Sequence, residues 1–541
     1  MVIAQKGMMV KMKKRLSITA SAAAMLTAAV FLTSCGPEKK AENNGGGQTL
    51  TYWVGMNSAV ATKIQSFNDV EMYKQREKES GVHIEFTHPA LGQESEQFNL
   101  MLASKKLPDI VEYSWANYVG GPQAAIDDGI IIALDDYIDK ASNFKARLEE
   151  DSELGDLYRK GSTTDDGHYF GFTTLNTGEY RIFGGPCIRR DWLDELSLEV
   201  PETIDDWTNV LRAFKEKKGV AAPLTGSLSS FCGGAGSTFV GAFGVGDRLY
   251  QEDGKVKFGP MEDGYKKFLE TAHMWYSEGL LDQDLSSNKS TLIDAKITNG
   301  ESGAMICCYL GGGLGRYLKQ KENEGASFDL VGTPYPVMNK GEINRFPIME
   351  EDVMVTASAV VTSACKNPET AIEWLDYWYS EDGYNLMNFG VEGKSYNMTD
   401  GKPVYTDEIL KNPEGLSIAE ALSMYCRATS PAPGLKQAPE YLEQYYPYEQ
   451  QKQTLEMWKA NTSDGRKIKI ANLNAKGDEA DTLSSIRAEL NTYVNEKVWN
   501  FVSGKESLDN YDAFRNELKS KFRIDEYLTI IQNQLDRYNN R

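Results

Sequence analysis

The sequence predicts a protein of the α/β class, because strand-like apolar runs alternate with helical stretches and are separated by turn-forming Gly and Pro residues. Residues 50–55 form the first predicted strand, and residues 69–80 form a helix that breaks at Gly81. Residues 82–86 then form a second strand. Strands separated by helices usually pair in parallel, so this order predicts a parallel sheet covered by helices.

The same alternation continues along the chain. A third strand is predicted at residues 109–111, and residues 304–309 form a strand that should be buried. Six apolar residues at spacings i, i+3, i+4, i+7, i+10 and i+11 predict one face of a helix ending near Gly279: Tyr265, Phe268, Leu269, Ala272, Trp275 and Tyr276. Apolar residues between Leu483 and Phe501 predict another amphipathic helix, which stops at Gly504.

The first 35 residues have the pattern of a bacterial lipoprotein signal. Five basic residues precede an apolar stretch that ends in Leu32-Thr33-Ser34-Cys35. This stretch is too short and too mild for a permanent membrane span, so we expect its removal and the attachment of lipid to Cys35. The alternative is an ordinary signal peptide in which Cys35 is incidental. Residues 36–48 are polar and glycine-rich, which predicts a flexible tether.

The charge and cysteine content exclude several classes of protein. The formal net charge is −20, and it becomes −25 without residues 1–35, which hold five basic and no acidic residues. Nucleic acid is therefore not expected as a partner. The six cysteines after Cys35 follow no repeated spacing, which predicts buried thiols and no disulfide framework. Cys307 and Cys308 are adjacent on a predicted strand and should point to opposite faces.

Motifs for catalysis or metal binding are weak. Runs of carboxylates occur at residues 165–166, 205–206 and 350–352, but a glycoside hydrolase needs two carboxylates on facing elements, and solvated charges explain such runs better. Of the four histidines, His83 and His88 should point to opposite faces of an extended segment and so cannot share a metal. The glycines of residues 311–315 lack the Lys-Ser/Thr ending of a phosphate loop.

Aromatic and amide residues just past strand ends are the strongest candidates for a binding site. Ligands of parallel α/β sheets lie beyond the carboxyl ends of the strands, where loops converge. Aromatic rings there can stack on the apolar faces of sugars while amides and charged groups bond the hydroxyls. The candidates are Asn57, Ser58, Tyr113, Trp115, Asn117, Tyr309, Phe389 and Glu392. Core packing is an equal alternative for Trp115 and Tyr309, and it is favoured for Trp275, Trp374, Trp378 and Trp499.

Several segments together resemble the family 1 extracellular solute-binding lipoproteins that serve ABC sugar importers. The resemblance covers most of the chain after the signal. It includes the strand at 50–54, Gly81-Val82-His83-Ile84, Leu107-Pro108-Asp109-Ile110-Val111, residues 166–171, Ile188-Arg189-Arg190-Asp191-Trp192-Leu193, Val200-Pro201-Glu202-Thr203, Glu278-Gly279-Leu280-Leu281-Asp282 and residues 388–393. Each segment alone is weak, and their order behind a lipoprotein signal carries the resemblance.

The resemblance implies a two-lobe fold of the periplasmic-binding-protein type 2, with a ligand cleft between lobes joined by hinge segments. It implies crossings near residues 168–175 and 353–362. Lobe one would then hold residues 49–170 and 358–395, and lobe two would hold residues 171–357 and 396–541. Family members that bind acidic or large saccharides often carry a calcium loop, but residues 215–222 have too few oxygen ligands for one. We therefore expect no metal and no cofactor.

The main functional hypothesis is a non-enzymatic, monomeric receptor anchored to the membrane through Cys35. It would close its lobes on a saccharide, with an oligosaccharide expected, and present it to the permease subunits of an ABC transporter. One alternative is a lipid-anchored glycan hydrolase, which would need two carboxylates facing each other across the cleft. The other is a surface adhesin or sensor that binds glycan without transport.

Overall fold

The computed structural model describes residues 48–541, apart from residues 57, 62, 177–181, 233–237, 326, 347–353, 464, 471, 472 and 474. The predicted signal, the lipidation site Cys35 and almost all of the predicted tether lie outside the described residues, as does Asn57. Residues 48–541 form one unit with two main sheets. We call the residues around the six-stranded sheet lobe one (48–176 and 354–445) and those around the four-stranded sheet lobe two (182–346 and 446–541).

Lobe one is built on a mixed sheet in the order β14-β4-β11-β3-β1-β2. Its strands are β1 Thr49–Val54, β2 His83–Thr87, β3 Ile110–Ser114, β4 Phe172–Asn176, β11 Met354–Val361 and β14 Gly434–Lys436. Strand β1 pairs in parallel with both β2 and β3, as the sequence predicts. Strand β11 runs antiparallel between β3 and β4. The sheet is buried on both faces, each of which packs against its own apolar cluster.

Lobe two has a smaller sheet in the order β10-β5-β9-β6. Its strands are β5 Gly184–Arg189, β6 Leu224–Thr225, β9 Ala304–Tyr309 and β10 Leu330–Gly332. Two hairpins stand apart from the main sheets: β7 Leu249–Glu252 with β8 Lys255–Phe258, and β12 Tyr396–Thr399 with β13 Lys402–Tyr405. Cys307 and Cys308 join opposite clusters of lobe two, which confirms the prediction from strand geometry.

The α-helices cover both sheets. Those of lobe one are α1 Ser58–Ala61, α2 Glu71–Ser80, α3 Glu94–Ser104, α4 Gly121–Asp127, α5 Ser142–Leu148, α6 Glu153–Ser162, α13 Pro368–Asp376, α14 Glu381–Phe389, α15 Asp407–Leu410, α16 Ile418–Ser423 and α17 Pro439–Tyr445. Those of lobe two are α7 Arg190–Leu196, α8 Ile204–Ala213, α9 Leu228–Cys232, α10 Asp263–Ser277, α11 Ser290–Thr298, α12 Arg316–Glu324, α18 Glu449–Ala460, α19 Asp478–Ser503, α20 Tyr511–Ser520 and α21 Ile524–Asn539. Among the described residues, no helix combines the length and apolarity needed to span a membrane.

The predicted amphipathic helices occur as α10 and α19. In α10 the residues Tyr265, Phe268, Leu269, Ala272 and Trp275 are buried, as their spacing predicts. Helix α19 ends at Gly504, whose φ of +74° is the left-handed conformation that glycine adopts easily. All six cysteines after Cys35 are free thiols, and four of them are buried. The prediction of unpaired thiols is therefore confirmed.

The chain passes between the described parts of the two lobes at three places: from β4 to β5, from β10 to β11, and from α17 to α18. The third passage is abrupt. Tyr445 packs on the main cluster of lobe one, whereas the next residue, Tyr446, packs on a cluster of lobe two.

This third passage corrects the predicted domain boundaries. Residues 396–445, which the family resemblance places in lobe two, pack with lobe one. Tyr405, Ile409 and Leu422 are buried in its core, and β14 pairs in parallel with β4 at the sheet edge. Strand β4 itself, within the predicted crossing at 168–175, belongs to lobe one, and so do residues 354–357 of β11. A three-residue strand has too little apolar periodicity to be detected in a sequence.

Helix α21 also joins the lobes. Its first half packs in the core of lobe two through Ile524 and Tyr527. Beyond its centre, Arg537 donates from Nε to Oδ2 of Asp165 in lobe one at 2.8 Å, and Arg541 donates to Oδ1 of the same carboxylate at 2.9 Å. The Asp165 side chain is only 4% exposed, so these charge-assisted bonds lie out of water.

Candidate functional site

A cavity of about 490 Å³ lies between the lobes, and we call it the first cavity. Lobe one lines it with Thr174, Asn176, Ala428, Thr429, Ser430, Pro431, Lys436, Gln437, Tyr441, Leu442 and Tyr445. Lobe two lines it with Phe183, Tyr309, Gly311, Gly312, Tyr446 and Lys469. Both lobes therefore contribute to one surface, as a cleft that closes by hinge motion requires.

Strand ends position the polar residues of the first cavity. Asn176, Tyr309 and Lys436 are the last residues of β4, β9 and β14, and all three line the cavity. Phe183 comes directly before β5. The carboxyl ends of strands from both lobes thus meet here, which is the place where α/β proteins bind ligands.

Two groups of aromatic rings line the first cavity. The rings of Phe183 and Tyr309 stack at 5.9 Å between centroids with only 3° between their planes, and Tyr309 is 52% exposed. In the second group, Tyr445 stacks on Tyr441 at 5.1 Å and contacts Tyr446 at 5.2 Å. Burial raises the pKa of the Tyr309 hydroxyl, with a smaller contribution from Cys307, so the hydroxyl stays a neutral donor.

The loop of residues 428–431 is held in place by two buried groups beneath it. Thr174 donates from its hydroxyl to the carbonyl of Ala432 at 2.6 Å and accepts from the Ala432 N–H at 3.1 Å. Lys436 is 4% exposed and donates from Nζ to the carbonyl of Ser430. These bonds fix the backbone of the loop relative to β4 and β14.

An ion pair between Arg427 and Glu112 lies directly behind this loop. Both side chains are 3% exposed, and Arg427 also donates to the carbonyl of Pro431. Burial alone would lower the pKa of Arg427, but the Glu112 carboxylate more than offsets this, and the pKa is raised above its usual value. Burial, with the Glu112 charge second, raises the pKa of Tyr52, which donates to Glu112 at 2.8 Å. Sequence inspection found neither Arg427 nor Glu112.

Of the predicted ligand residues whose side chains the structure describes, Tyr309 is the one that lines the first cavity. Two others need correction. Trp115 is 1% exposed and packs edge-on against Phe98 at 5.4 Å, so its ring belongs to the core of lobe one. Phe389 is also 1% exposed and lies between Tyr396 and Tyr405. A ring that packs on all sides inside a lobe has no free face for a ligand.

The remaining predicted residues are dispersed. Tyr113 is half-buried against Trp53 and Phe98, at 5.8 and 4.5 Å between ring centroids. Glu392 is exposed and lines neither cavity described in this section. Ser58 begins α1, but its side chain, like Asn57, lies outside the described residues.

Asn117 lines a second cavity of about 680 Å³, which also lies between the lobes. Lobe one contributes residues 116–121, directly after β3, and lobe two contributes residues of α19 and α21.

The predicted chemistry-bearing residues outside the cavities have structural contacts. Asp165 binds Arg537 and Arg541, Asp166 binds Lys476, and Asp206 caps the amino end of α8. Each histidine has a partner: Glu77 for His83, the Val54 carbonyl for His88, Asp135 for His168 and the Val502 carbonyl for His273. Within the described part of the chain, no three His, Cys, Asp or Glu side chains cluster as a metal site would require. Residues 350–352 lie outside the description.

Comparison with known families decides what kind of protein carries this cleft. The model of the bacterial extracellular solute-binding proteins matches residues 61–385, which is more than half of the chain. The chain belongs to this family. The matched region of this solute-binding protein runs from α1 to the middle of α14 and therefore includes strands of both lobes.

Two curated relatives match over most of their length. FusA, a fructooligosaccharide ABC transporter substrate-binding protein of Streptococcus pneumoniae serotype 4, is 26% identical over 505 residues and covers 87% of each chain. The lipoprotein LipO of Bacillus subtilis is 22% identical over 453 residues, covering 81% of this chain and 84% of LipO.

Solved structures agree on the two-lobe fold. The alginate-binding protein AlgQ2, solved without calcium ion, superposes with a TM-score of 0.71 at 22% identity, covering 90% of this chain and 98% of AlgQ2. FusA in complex with kestose superposes with a TM-score of 0.70 at 22% identity, covering 91% of this chain and all of FusA. At this level of identity the likeness establishes the fold of the solute-binding protein.

Proposed function

We propose that this protein is the oligosaccharide receptor of an ABC importer. It captures a saccharide chain in the first cavity, closes its lobes around it and delivers it to the permease subunits. It acts as a monomer without catalytic turnover, on the outer face of the cell membrane, where lipid on Cys35 anchors it.

The arrangement of aromatic rings in the first cavity carries this proposal. Sugar rings have flat CH faces edged by hydroxyls, and the parallel Phe183 and Tyr309 rings line a cavity that Tyr441 and Tyr445 also line. Asn176 and Gln437 supply amides beside these rings. Aromatic rings combined with polar groups are typical of small-molecule sites that discriminate by hydrogen bonding.

The relatives support the transport part of the proposal. FusA is named for a fructooligosaccharide and an ABC transporter, and a third relative, YtcQ of Bacillus subtilis, is named for binding polygalacturonan and rhamnogalacturonan. LipO, named as a lipoprotein, supports the anchor on Cys35. The chain passes between the lobes at Tyr445 and Tyr446, and a ligand that contacts both lobes would favour closure about such a connection.

A ligand screen tests the proposal. The purified protein is heated with and without neutral and acidic oligosaccharides, including kestose, and the melting temperature is recorded. A true ligand at about 100 times its Kd stabilises the folded state by about 2.7 kcal/mol. Chromatography of the same mixtures should recover the saccharide intact. If no saccharide stabilises the protein while another class of solute does, the proposal fails, and the appearance of cleaved product would favour the hydrolase instead.

A further inference from the structure

The second cavity is larger than the first and is lined by both lobes. Lobe one contributes the loop after β3, including Asn117 and Tyr118, and lobe two contributes the side of α19 together with Ile531 and Gln534 of α21. Its position between the lobes means that closure or opening of the cleft would change its shape as well.

The two cavities approach each other at a single peptide. Lys469 lines the first cavity and Ile470 lines the second. The same short segment of chain therefore borders both cavities. Gln251 of β7 holds this segment, since its N–H donates to the Ile468 carbonyl at 2.8 Å and its Nε2 donates to the Lys469 carbonyl at 3.0 Å.

Five polar side chains line the second cavity without a protein partner: Asn117, Asp481, Ser484, Arg487 and Asn491. All five are exposed, and none makes a side-chain hydrogen bond or ion pair with another described residue. They comprise one cation, one carboxylate and three neutral groups. Such a set can bond many hydroxyls and gives no net preference for a charged ligand.

Apolar side chains accompany these polar groups. Leu483 and Ile531 are buried in lobe two and form part of the cavity lining, and Tyr118 contributes a half-buried ring from lobe one. The first cavity is thus rich in aromatic rings, whereas the second combines an apolar base with unpaired donors and acceptors. A chain of linked sugar units offers both kinds of contact along its length.

We infer that the ligand is a linear oligosaccharide whose further units extend past Lys469 and Ile470 into the second cavity. This inference rests on the proposed function. It assigns Asn117, Ser484, Arg487 and Asn491 to the selection of ligand length, a role separate from the stacking platform around Tyr309. Short saccharides fill the first cavity alone, and longer ones gain the hydrogen bonds of the second.

A length series with a blocked cavity tests this inference. Linear fructo-, gluco- and xylo-oligosaccharides of increasing length, beginning with the disaccharide, are titrated by calorimetry into the wild-type protein and into Ser484→Trp. The control is Ser485→Trp, which makes the same substitution at the next position of α19, where the exposed serine lines neither cavity.

For the series that binds, the wild-type affinity should rise by about tenfold or more as the chain grows long enough to enter the second cavity. Ser484→Trp should lose this rise, and Ser485→Trp should keep it. Arg487→Ala should reduce the ratio of long-chain to disaccharide affinity, whereas Lys505→Ala, which removes an exposed cation of lobe two outside both cavities, should not. Melting temperatures establish that each variant is folded. If Ser484→Trp does not fold, the length dependence of Arg487→Ala tests the inference.

The possible outcomes separate this inference from the proposed function. If the wild type binds disaccharides as tightly as longer chains, or if Ser484→Trp and Arg487→Ala keep the full length dependence, the second cavity does not hold ligand while the proposed function stands. If no oligosaccharide of any length or composition binds the wild type, the proposed function itself fails.

Discussion

Arg427 and Glu112 form a bidentate ion pair across the core of lobe one, with Nη1 at 2.9 Å from Oε2 and Nη2 at 2.7 Å from Oε1. Glu112 lies on β3, and Arg427 directly precedes the loop that lines the first cavity. The guanidinium also lies 4.5 Å from the centre of the Phe67 ring and 3.2 Å from the Tyr73 hydroxyl. This pair therefore links the loop of residues 428–431, which lines the first cavity, to β3 in the sheet of lobe one.

Removing one partner of this pair should be costly. Glu112→Gln leaves a buried guanidinium without its counter-charge, and we expect a loss of about 3 kcal/mol in the free energy of unfolding, measured by urea denaturation. Asp407→Asn is the control, because the Asp407 and Lys411 side chains are 76% and 74% exposed and such a pair contributes less than about 1 kcal/mol. Equal effects of the two substitutions would contradict the importance of the buried pair.

Tyr309→Ala should weaken saccharide binding by about tenfold or more and leave the melting temperature of the empty protein nearly unchanged. The reason is that half of the Tyr309 side chain is already exposed, so its removal costs little packing. Calorimetric titration and thermal melting measure the two effects. Leu292→Ala, at another exposed apolar residue of lobe two, should affect neither. A large drop in melting temperature would mean that the ring acts mainly in folding.

Trp115→Ala should destabilise the empty protein, in contrast to Tyr309→Ala. The ring is buried among Phe98, Tyr118 and the rest of its cluster, so its truncation should cost about 3–5 kcal/mol of stability by leaving a cavity. Denaturant unfolding of the empty protein measures this cost. If the variant is as stable as the wild type but no longer binds saccharide, Trp115 contacts the ligand and the prediction is wrong.

Gly311→Ala should disturb the tyrosine platform. A Cβ at residue 311 would come within 2.7 Å of Cε1 of Tyr445, so the ring must move, and we expect saccharide affinity to fall severalfold. A Cβ at the neighbouring Gly312 meets nothing within 4 Å, so Gly312→Ala should leave Tyr445 in place. A crystal structure of each variant would locate the ring directly. An unmoved Tyr445 in Gly311→Ala contradicts the prediction.

Asp282 should contribute to acid sensitivity. It is 1% exposed and binds Nζ of Lys296 at 2.7 Å and the Thr225 hydroxyl at 2.6 Å. Burial raises its pKa, but the bonds from Lys296, Thr225 and Asn288 outweigh this, so the folded-state pKa is lowered. A lowered pKa stabilises the protein above the unfolded value of about 3.9, and this stability is lost as pH falls through the lower folded value. Asp282→Asn should therefore lower the free energy of unfolding at neutral pH. When that free energy is measured across a pH series, the variant should lose less of it on acidification than the wild type does.

Much of the fold could be predicted from the sequence because its signals are local. The strands β1, β2 and β9 and the helices α10 and α19 have clear periodicity, and Gly81 and Gly504 end helices at their predicted places. In the segment Glu278-Gly279-Leu280-Leu281-Asp282, Asp282 forms a buried ion pair with Lys296. The membership of β14 in lobe one could not be predicted, because its pairing with β4 joins residues about 260 positions apart.

The candidate site was harder to predict than the fold. Tyr309 and Asn117 could be predicted because they lie at or just past strand ends, but the same rule also selects Trp115, which turns inward after β3. Tyr441, Tyr445 and Tyr446 were missed because they lie on a helix and a passage between lobes, where no strand end marks them. The pairing of Arg427 with Glu112 spans 315 positions and leaves no local trace.

The third passage between Tyr445 and Tyr446 has a consequence for how the molecule would respond to a protease. A single cut at any one passage leaves the halves joined by two intact chains. A cut after Tyr445 would still leave β14 hydrogen-bonded beside β4 and Tyr441 buried in its cluster. The nicked molecule should therefore migrate as one particle in native gels and separate into fragments in denaturant.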